Sequence, residues 1–151
     1  MTLTFYTHPQ SRGRITHWML EELGQPYETV VLDYGTTMKA PAYLAINPMG
    51  KVPALVHDGQ AITEGAAIIT YLADAFPAAG LMPANRAAFY RWMFFGAGPV
   101  EAAVTNKALG VQVPPERRGM VGYGSLEAVT DTLAAQLEKT PYLCCDTFSA
   151  A

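Results

Sequence analysis

A change in residue pattern near residue 78 is the feature that most constrains how this chain can fold. Before it, short β-prone runs alternate with amphipathic helical runs, in the order βαβ followed by αββα. This order predicts a small mixed sheet flanked by helices. After it, the β signal largely disappears and Ala-rich helical stretches follow. We therefore expect an α/β domain over residues 1–78, a linker over 79–85 and an all-α part over 86–151.

The predicted elements follow from hydrophobic spacing and from turn residues. An apolar period of three to four residues predicts a first helix that ends at Gly24, a residue suited to a left-handed cap. Asp58-Gly59 between two apolar runs predicts a hairpin. The predicted strands cover 3–6, 27–32, 52–56 and 61–62, and the predicted helices cover 14–23, 38–46, 66–76, 86–108 and 115–139.

Composition and charge exclude several classes of protein. Half of the 151 residues are hydrophobic, which is enough for a sizeable core. The net charge of -3 argues against a nucleic-acid partner, because phosphate neutralisation supplies much of such affinity. Uncharged stretches reach 11 residues, well short of the roughly 18 to 20 that a membrane span needs. The adjacent Cys144 and Cys145 indicate neither a disulfide framework nor a metal site, and we expect a cytoplasmic protein.

Residues 47–55, Asn-Pro-Met-Gly-Lys-Val-Pro-Ala-Leu, carry the most informative signal. Pro53 lies where a turn meets a strand and cannot donate a ladder hydrogen bond, so a sheet edge or a bound ligand should face it. A cis bond before Pro53 would turn the backbone of Val52 outward, where an extended peptide could pair with its N–H and C=O. The alternative is an ordinary trans-proline turn, which spacing alone favours.

Glu64-Gly65 opens an apolar helix and is a second candidate binding feature. A helix N-terminus presents N–H groups and the positive end of a dipole, so it can receive a carboxylate, while Glu64 can bind an ammonium group. The alternative, favoured for this feature taken alone, is a first-turn acid that stabilises its helix by roughly 0.3 to 1 kcal/mol.

Together with the first strand–turn–helix, these segments resemble the glutathione S-transferase family, most closely its bacterial serine-type members. The resemblance covers the whole chain. It implies a thioredoxin-like α/β domain followed by an all-α helical-bundle domain. We expect that second domain to be incomplete, because Phe148-Ser149 looks like a helix start. We also expect the apolar faces of its helices around Trp92, Leu126 and Leu133 to be exposed or covered by a partner. The resemblance is carried by Ser11-Arg12-Gly13-Arg14, residues 47–53, Glu64-Gly65, Tyr71-Leu72 and the helical half from Tyr90-Arg91-Trp92.

The resemblance also implies a set of ligand contacts. Glutathione would be the co-substrate, and no metal or bound organic cofactor is expected. The family usually has serine at position 65, so one hydroxyl donor is missing here. The implied contacts are Val52 and cis-Pro53 with the cysteinyl backbone, Glu64 and Gly65 with the γ-glutamyl end, Lys39 and Lys51 with the glycyl carboxylate, and His8, Tyr90 and Phe94 with a hydrophobic electrophile.

Ser11 is the residue implied for catalysis. A thiol with a pKa near 8.5 is only a few per cent ionised at neutral pH, and lowering that pKa by two units takes about 2.7 kcal/mol. A serine hydroxyl donating to sulfur and a helix N-terminus can together supply this. Ser11 as a plain N-cap is the alternative reading. Tyr6 is a competing donor, although packing is the favoured interpretation for it.

The function implied is conjugation of glutathione to a small hydrophobic electrophile by a homodimer. Two alternatives stay open. One is a non-catalytic glutathione-binding or scaffold protein of the same fold, and the other is a glutathione-dependent isomerase or lyase that uses the same thiolate.

Overall fold

The computed structural model describes residues 2–151 and contains two structural units, the first running to Leu81 and the second beginning at Met82. None of the helices in this range is both long enough and apolar enough to cross a bilayer. The first unit contains strands β1 (Leu3–Thr7), β2 (Glu28–Val31), β3 (Ala54–His57) and β4 (Gln60–Thr63) and helices α1 (Gly13–Leu23), α2 (Pro41–Leu44) and α3 (Gly65–Ala75).

The four strands form one mixed sheet in the order β2-β1-β3-β4. Strand β1 pairs parallel with β2 and antiparallel with β3, which in turn pairs antiparallel with β4. Alternate side chains of β1 are buried, and Phe5 lies opposite Leu55 in the register with β3. This mixed sheet with its helices confirms the thioredoxin-like α/β fold predicted for the first part of the chain.

The core of the first unit explains why α1 and α3 form. The apolar residues of each helix recur at helical spacing, and their buried members include Leu20 on α1 and Ile68 and Leu72 on α3, all with no exposed area. Burying one such side chain contributes about 1.5–3 kcal/mol. Gly24 ends α1 with φ +65°, the left-handed cap expected from the sequence.

A second cluster supports the loops between β2 and β3. Leu32, Met38, Tyr43 and Ala54 are buried together. The predicted helix over 38–46 is wrong in detail, because residues 37–39 form a 3-10 turn and α2 begins only at Pro41. Ala40 between them is extended, since a residue before proline is disfavoured in the α region.

The second unit is helical, and its first helical stretch agrees with the predicted range. Predicted helix 115–139 is shorter than expected. Residues 115–120 form a 3-10 turn, Gly124 has φ +67°, and Ser125 then caps the next helix by accepting the N–H of Ala128 at 3.1 Å. The helices are α4 (Arg86–Phe95), continued by a π-helical turn over Gly96–Val100, then α5 (Glu101–Ala108) and α6 (Leu126–Leu137).

The expected exposure of apolar side chains is wrong for Trp92, which is only 3% exposed. Leu126 and Leu133 are each partly exposed. The indole of Trp92 packs edge-on against Phe95, with 5.4 Å between ring centroids. Residues 148–151 do not form the helical turn that the sequence suggested.

Tyr27 gives the first unit an alkaline pH dependence. Its hydroxyl donates to the Glu21 carboxylate, and burial, followed by this hydrogen bond and the charge of Glu21, raises the pKa of Tyr27 to about 12. An unfolded tyrosine titrates near 10. The stabilising contribution is therefore complete below about pH 10 and is lost as the pH rises from about 10 to about 12.

As the pH rises from about 10 to about 12, we expect the free energy of unfolding of Tyr27→Phe to fall less than that of the wild type. Urea unfolding at successive pH values between 9 and 12 measures it, with Tyr34→Phe as a control that removes an exposed tyrosine. Parallel stability curves for the wild type and Tyr27→Phe would show that Tyr27 does not cause the dependence.

Candidate functional site

An open cleft of about 480 Å³ lies on the first unit where three loops meet. These loops follow β1, follow β2 and precede β3, so the sheet and the second buried cluster fix their positions. The cleft brings together four of the residues singled out from the sequence. They are Ser11, Lys39, Lys51 and Val52, and Arg12 and Tyr34 line the cleft beside them.

Ser11 lies in the turn between β1 and α1. Its hydroxyl donates to the carbonyl of His8 at 2.7 Å and accepts the N–H of Gly13 at 3.0 Å. Ser11 therefore satisfies one of the unpaired N–H groups at the start of α1 while its side chain stays on the cleft. The hydroxyl hydrogen can rotate from the His8 carbonyl to a ligand, since a serine O–H turns freely about its Cβ–Oγ bond.

The close approach of Gly13 to β1 fixes this turn. A Cβ at position 13 would lie 2.3 Å from Thr7 Oγ1 and 2.9 Å from Ser11 Oγ. Glycine is thus the residue that lets α1 begin against the end of β1 with the Ser11 hydroxyl in place.

Lys39 connects two sides of the cleft. Its ammonium group donates to the carbonyls of Met49 and Gly50, at 3.0 and 2.7 Å. Gly50 has φ +56°, and a Cβ there would lie 2.9 Å from both Lys39 Nζ and the Met38 carbonyl oxygen. The lysine and the glycine therefore fit together, and they fix the path of the chain into Lys51 and Val52.

The carbonyl of Lys51 is held by two buried side chains. Tyr43 donates its hydroxyl at 2.6 Å and Asn47 donates its amide at 2.7 Å. A tyrosine is protonated and can donate at neutral pH, and burial raises the pKa of Tyr43 further. This pair orients the backbone just before Val52, which explains why Asn47 is buried although it is polar.

The Val52–Pro53 peptide bond is cis, as the resemblance implies. Pro53 lies beside the start of α3, where a Cβ added at Gly65 would be 3.9 Å from Pro53 Cγ. Glu64, the residue before α3, has φ +70°, an uncommon conformation for a residue with a side chain. Such strained residues concentrate at functional sites.

The electrostatics of the cleft favour an anion. Arg12, Lys39 and Lys51 line it, and none of the lining residues within the described range 2–151 is acidic. This contrasts with the net charge of -3 for the whole chain. A partly enclosed group of like charges attracts the opposite charge more strongly than the same charges spread over a surface.

The remaining predicted site residues lie elsewhere. Glu64 and Gly65 are outside the cleft lining, at the N-terminus of α3. His8 reaches the cleft indirectly, because its ring packs against Tyr34 with 4.3 Å between centroids. Tyr90 and Phe94 belong to the second unit, where they are 44% and 67% exposed on α4.

Two tyrosines, Tyr6 and Tyr34, differ in their relation to the cleft. Tyr6 packs against Tyr43, with 5.5 Å between ring centroids, as part of the second buried cluster. Tyr34 lines the cleft but was missed, since it follows β2 in a loop with no periodic pattern. The sequence signal that could have drawn attention to Tyr34 is an aromatic residue in a predicted loop beside Gly35, and the structure shows it 55% exposed.

Comparison with known proteins bears on the identity of this fold and cleft. Residues 12–75 match the family description of the glutathione S-transferase N-terminal domain. The chain is 40% identical over 97 residues to glutathione S-transferase GST-4.5 of Xanthomonas campestris pv. campestris, covering 62% of this chain and 47% of that protein. It is 43% identical over 63 residues to maleylacetoacetate isomerase of Rhizobium meliloti, covering 41% of this chain and 30% of that protein. The chain thus spans less than half the length of these relatives.

Solved structures extend the similarity beyond the first unit. A glutathione transferase homologue from Sulfitobacter, solved with bound glutathione, has a TM-score of 0.76 and 30% identity, covering 99% of this chain and 76% of its own. BphK, a bacterial glutathione S-transferase solved as a ternary complex, has a TM-score of 0.77 and 31% identity, covering 97% and 76% respectively. By sequence in its first unit and by structure along nearly its whole length, the chain belongs to the glutathione S-transferase family.

Proposed function

We propose that this protein binds glutathione in the cleft and conjugates its thiolate to a small hydrophobic electrophile. The observation that carries the proposal is the placement of the Ser11 hydroxyl in one cleft with Arg12, Lys39 and Lys51. Glutathione has two carboxylates and one ammonium group, so it is an anion, and ionisation of its thiol adds a second net negative charge. The cations would therefore favour both binding and ionisation.

Each part of the peptide has a suitable contact. The N–H and C=O of Val52 would pair with the cysteinyl backbone as in strand addition. Lys39 and Lys51 would attract the glycyl carboxylate, and Glu64 with the N–H groups that open α3 would bind the γ-glutamyl end. With the cysteinyl group beside Val52, its sulfur would lie toward Ser11, on the same cleft.

The chemistry then requires little more than a stabilised anion. The thiol proton leaves to solvent, and the Ser11 hydroxyl exchanges its bond with the His8 carbonyl for a charge-assisted bond to sulfur. The thiolate attacks the electrophilic carbon, a C–S bond forms, and the leaving group departs with its electron pair. We propose glutathione as co-substrate without a metal or organic cofactor, in a cytoplasmic homodimer whose electrophile also contacts His8.

The thiolate absorbance of glutathione, titrated with pH in the presence of the protein, tests this proposal. We expect the bound thiol to have a pKa at least one unit below that of free glutathione. Binding without that change would instead support a glutathione carrier or scaffold. Absence of binding would overturn both.

Isomerisation is a second candidate, favoured by the similarity of 63 residues to a maleylacetoacetate isomerase. The same thiolate would add to a double bond, allow rotation and then leave, so glutathione would be regenerated. Mass analysis of products separates the two reactions. Conjugation consumes one glutathione for each product, and isomerisation consumes none.

Gly65 offers a gain-of-function prediction. Its φ lies outside the left-handed region, and a Cβ there meets only Pro53 Cγ at 3.9 Å, so a serine fits. We expect Gly65→Ser to add a hydroxyl donor to the γ-glutamyl carboxylate and to lower the Kd for glutathione about tenfold, or about 1.4 kcal/mol. Isothermal titration calorimetry measures the change.

Gly65→Ala is the matched control for that serine. It adds the same Cβ without a hydroxyl, so we expect an unchanged Kd and a gain of about 0.5–1 kcal/mol in folding stability from the helical position. Equal affinities for the serine and alanine variants would mean that the γ-glutamyl carboxylate does not bind at Gly65.

A further inference from the structure

Cys144 and Cys145 form a pair of adjacent thiols that the proposed reaction does not use. They are the chain's two cysteines, and both are free. They lie in the second unit within residues 141–147, a stretch of bends after α6 that has neither helix nor strand. Cys144 is 7% exposed and Cys145 is partly buried, so the Cys145 thiol is the more accessible of the two.

Covalent geometry disfavours a disulfide between these two residues. Adjacent Cα atoms across a trans peptide are about 3.8 Å apart, whereas unstrained disulfides need roughly 4.4–6.8 Å. A third atom bonded to both sulfurs lengthens the bridge and relieves this restriction. The pair is therefore better suited to bidentate binding than to oxidation within itself.

The surroundings of the sulfurs select the kind of atom that could bridge them. Cys145 Sγ lies 3.3 Å from the Thr147 carbonyl and 3.4 Å from its hydroxyl, and Cys144 is buried. Across residues 2–151, no group of three His, Cys, Asp or Glu side chains is placed to coordinate a metal ion. The two thiols are therefore too few ligands for a tetrahedral metal ion that needs three or four protein ligands. They are enough for a soft atom that binds two thiolates and already carries a third substituent.

We infer that Cys144 and Cys145 are a bidentate binding site for trivalent organoarsenicals. In the reaction with an arsenoxide, two S–As bonds form and the As–O bond breaks. The two thiol protons leave with that oxygen as water, so no oxidant or reductant is needed. Cys145 reacts first because it is accessible, and Cys144 closes the ring. Burial raises the pKa of the Cys144 thiol, so its thiolate fraction is lower than that of an exposed cysteine.

Phenylarsine oxide and intact-protein mass spectrometry test the inference. The expected product is one phenylarsenic group per chain with the loss of one water, and no thiol that iodoacetamide can still modify. A second thiol on the same chain acts at high effective concentration. The glutathione concentration needed to release the arsenic should therefore be at least about 100-fold higher than for a one-thiol adduct. A small dithiol should remove it.

Cys144→Ala and Cys145→Ala are the matched one-thiol variants, and each should lose that resistance. Two arsenic groups per chain, or equal release by glutathione from the wild type and both variants, would overturn the inference. So would the absence of any adduct, or an adduct formed without loss of water that leaves one thiol open to iodoacetamide, which would mean that Cys144 never becomes available. The wild-type result alone remains decisive if a variant fails to fold, since the chain has no other cysteine.

Discussion

Replacing Ser11 by alanine is expected to raise the pKa of the protein-bound glutathione thiol by at least one unit and to lower kcat/KM about 10- to 100-fold near pH 7. Each unit corresponds to about 1.4 kcal/mol of lost preference for the thiolate. The loss should shrink above about pH 8.5, where the free thiol ionises unaided. Thiolate absorbance and the pH profile of kcat/KM with a chromogenic aryl halide measure both effects.

Two controls separate this chemical role from a structural one. The Ser11 hydroxyl also accepts the N–H of Gly13 at 3.0 Å, so alanine should cost about 1 kcal/mol of stability as well. Ser11→Thr keeps a hydroxyl and should retain most of the thiolate stabilisation. Tyr6→Phe should leave the thiol pKa unchanged, because Tyr6 packs against Tyr43. A raised pKa in Tyr6→Phe, with none in Ser11→Ala, would transfer the role to Tyr6.

The order of strands and helices was predictable because it depends on local hydrophobic spacing. Errors occurred where a single residue overrides that spacing. Ala40 is extended because Pro41 follows it, which splits the predicted helix over 38–46. Gly124, with φ +67°, separates a 3-10 turn from α6 in the same way. Both residues were visible in the sequence, but their effect depends on backbone geometry rather than on hydrophobicity.

Residues of the candidate site were predictable where a family motif marks them, but the contacts between separate segments were not. The spacing of residues 47–53 favoured a trans bond before Pro53, and only their resemblance to the family implied the cis bond that is present. The contact between Lys39 and the Gly50 carbonyl joins residues 11 apart, in two different loops. Hydrophobic periodicity contains no information about such a contact, which depends on how the buried cluster around Tyr43 fixes both loops.

Replacing Gly50 by alanine is expected to damage both folding and binding. The residue has φ +56°, where a side chain costs roughly 1–2 kcal/mol. The added Cβ would also lie 2.9 Å from the Met38 carbonyl, a backbone atom that cannot rotate away, and 2.9 Å from Lys39 Nζ. Overpacking of this kind costs about 1–3 kcal/mol, so we expect a total destabilisation of roughly 2–5 kcal/mol. Urea unfolding measures it.

The same substitution should weaken glutathione binding at least tenfold, because displacing Lys39 or Gly50 moves one wall of the cleft. Gly35→Ala is the matched control: Gly35 also lines the cleft and has φ +75°, but an added Cβ there meets no atom within 4 Å. Gly35→Ala should therefore lose the roughly 1–2 kcal/mol of stability that a side chain costs at positive φ, while its Kd for glutathione stays unchanged. Lys39→Met tests the lysine without overpacking: it removes both hydrogen bonds of the ammonium group, so we expect weaker binding and a stability loss of about 1–2 kcal/mol, less than for Gly50→Ala. If Gly50→Ala and Gly35→Ala bind glutathione equally well, the fit between Lys39 and Gly50 does not shape the binding site.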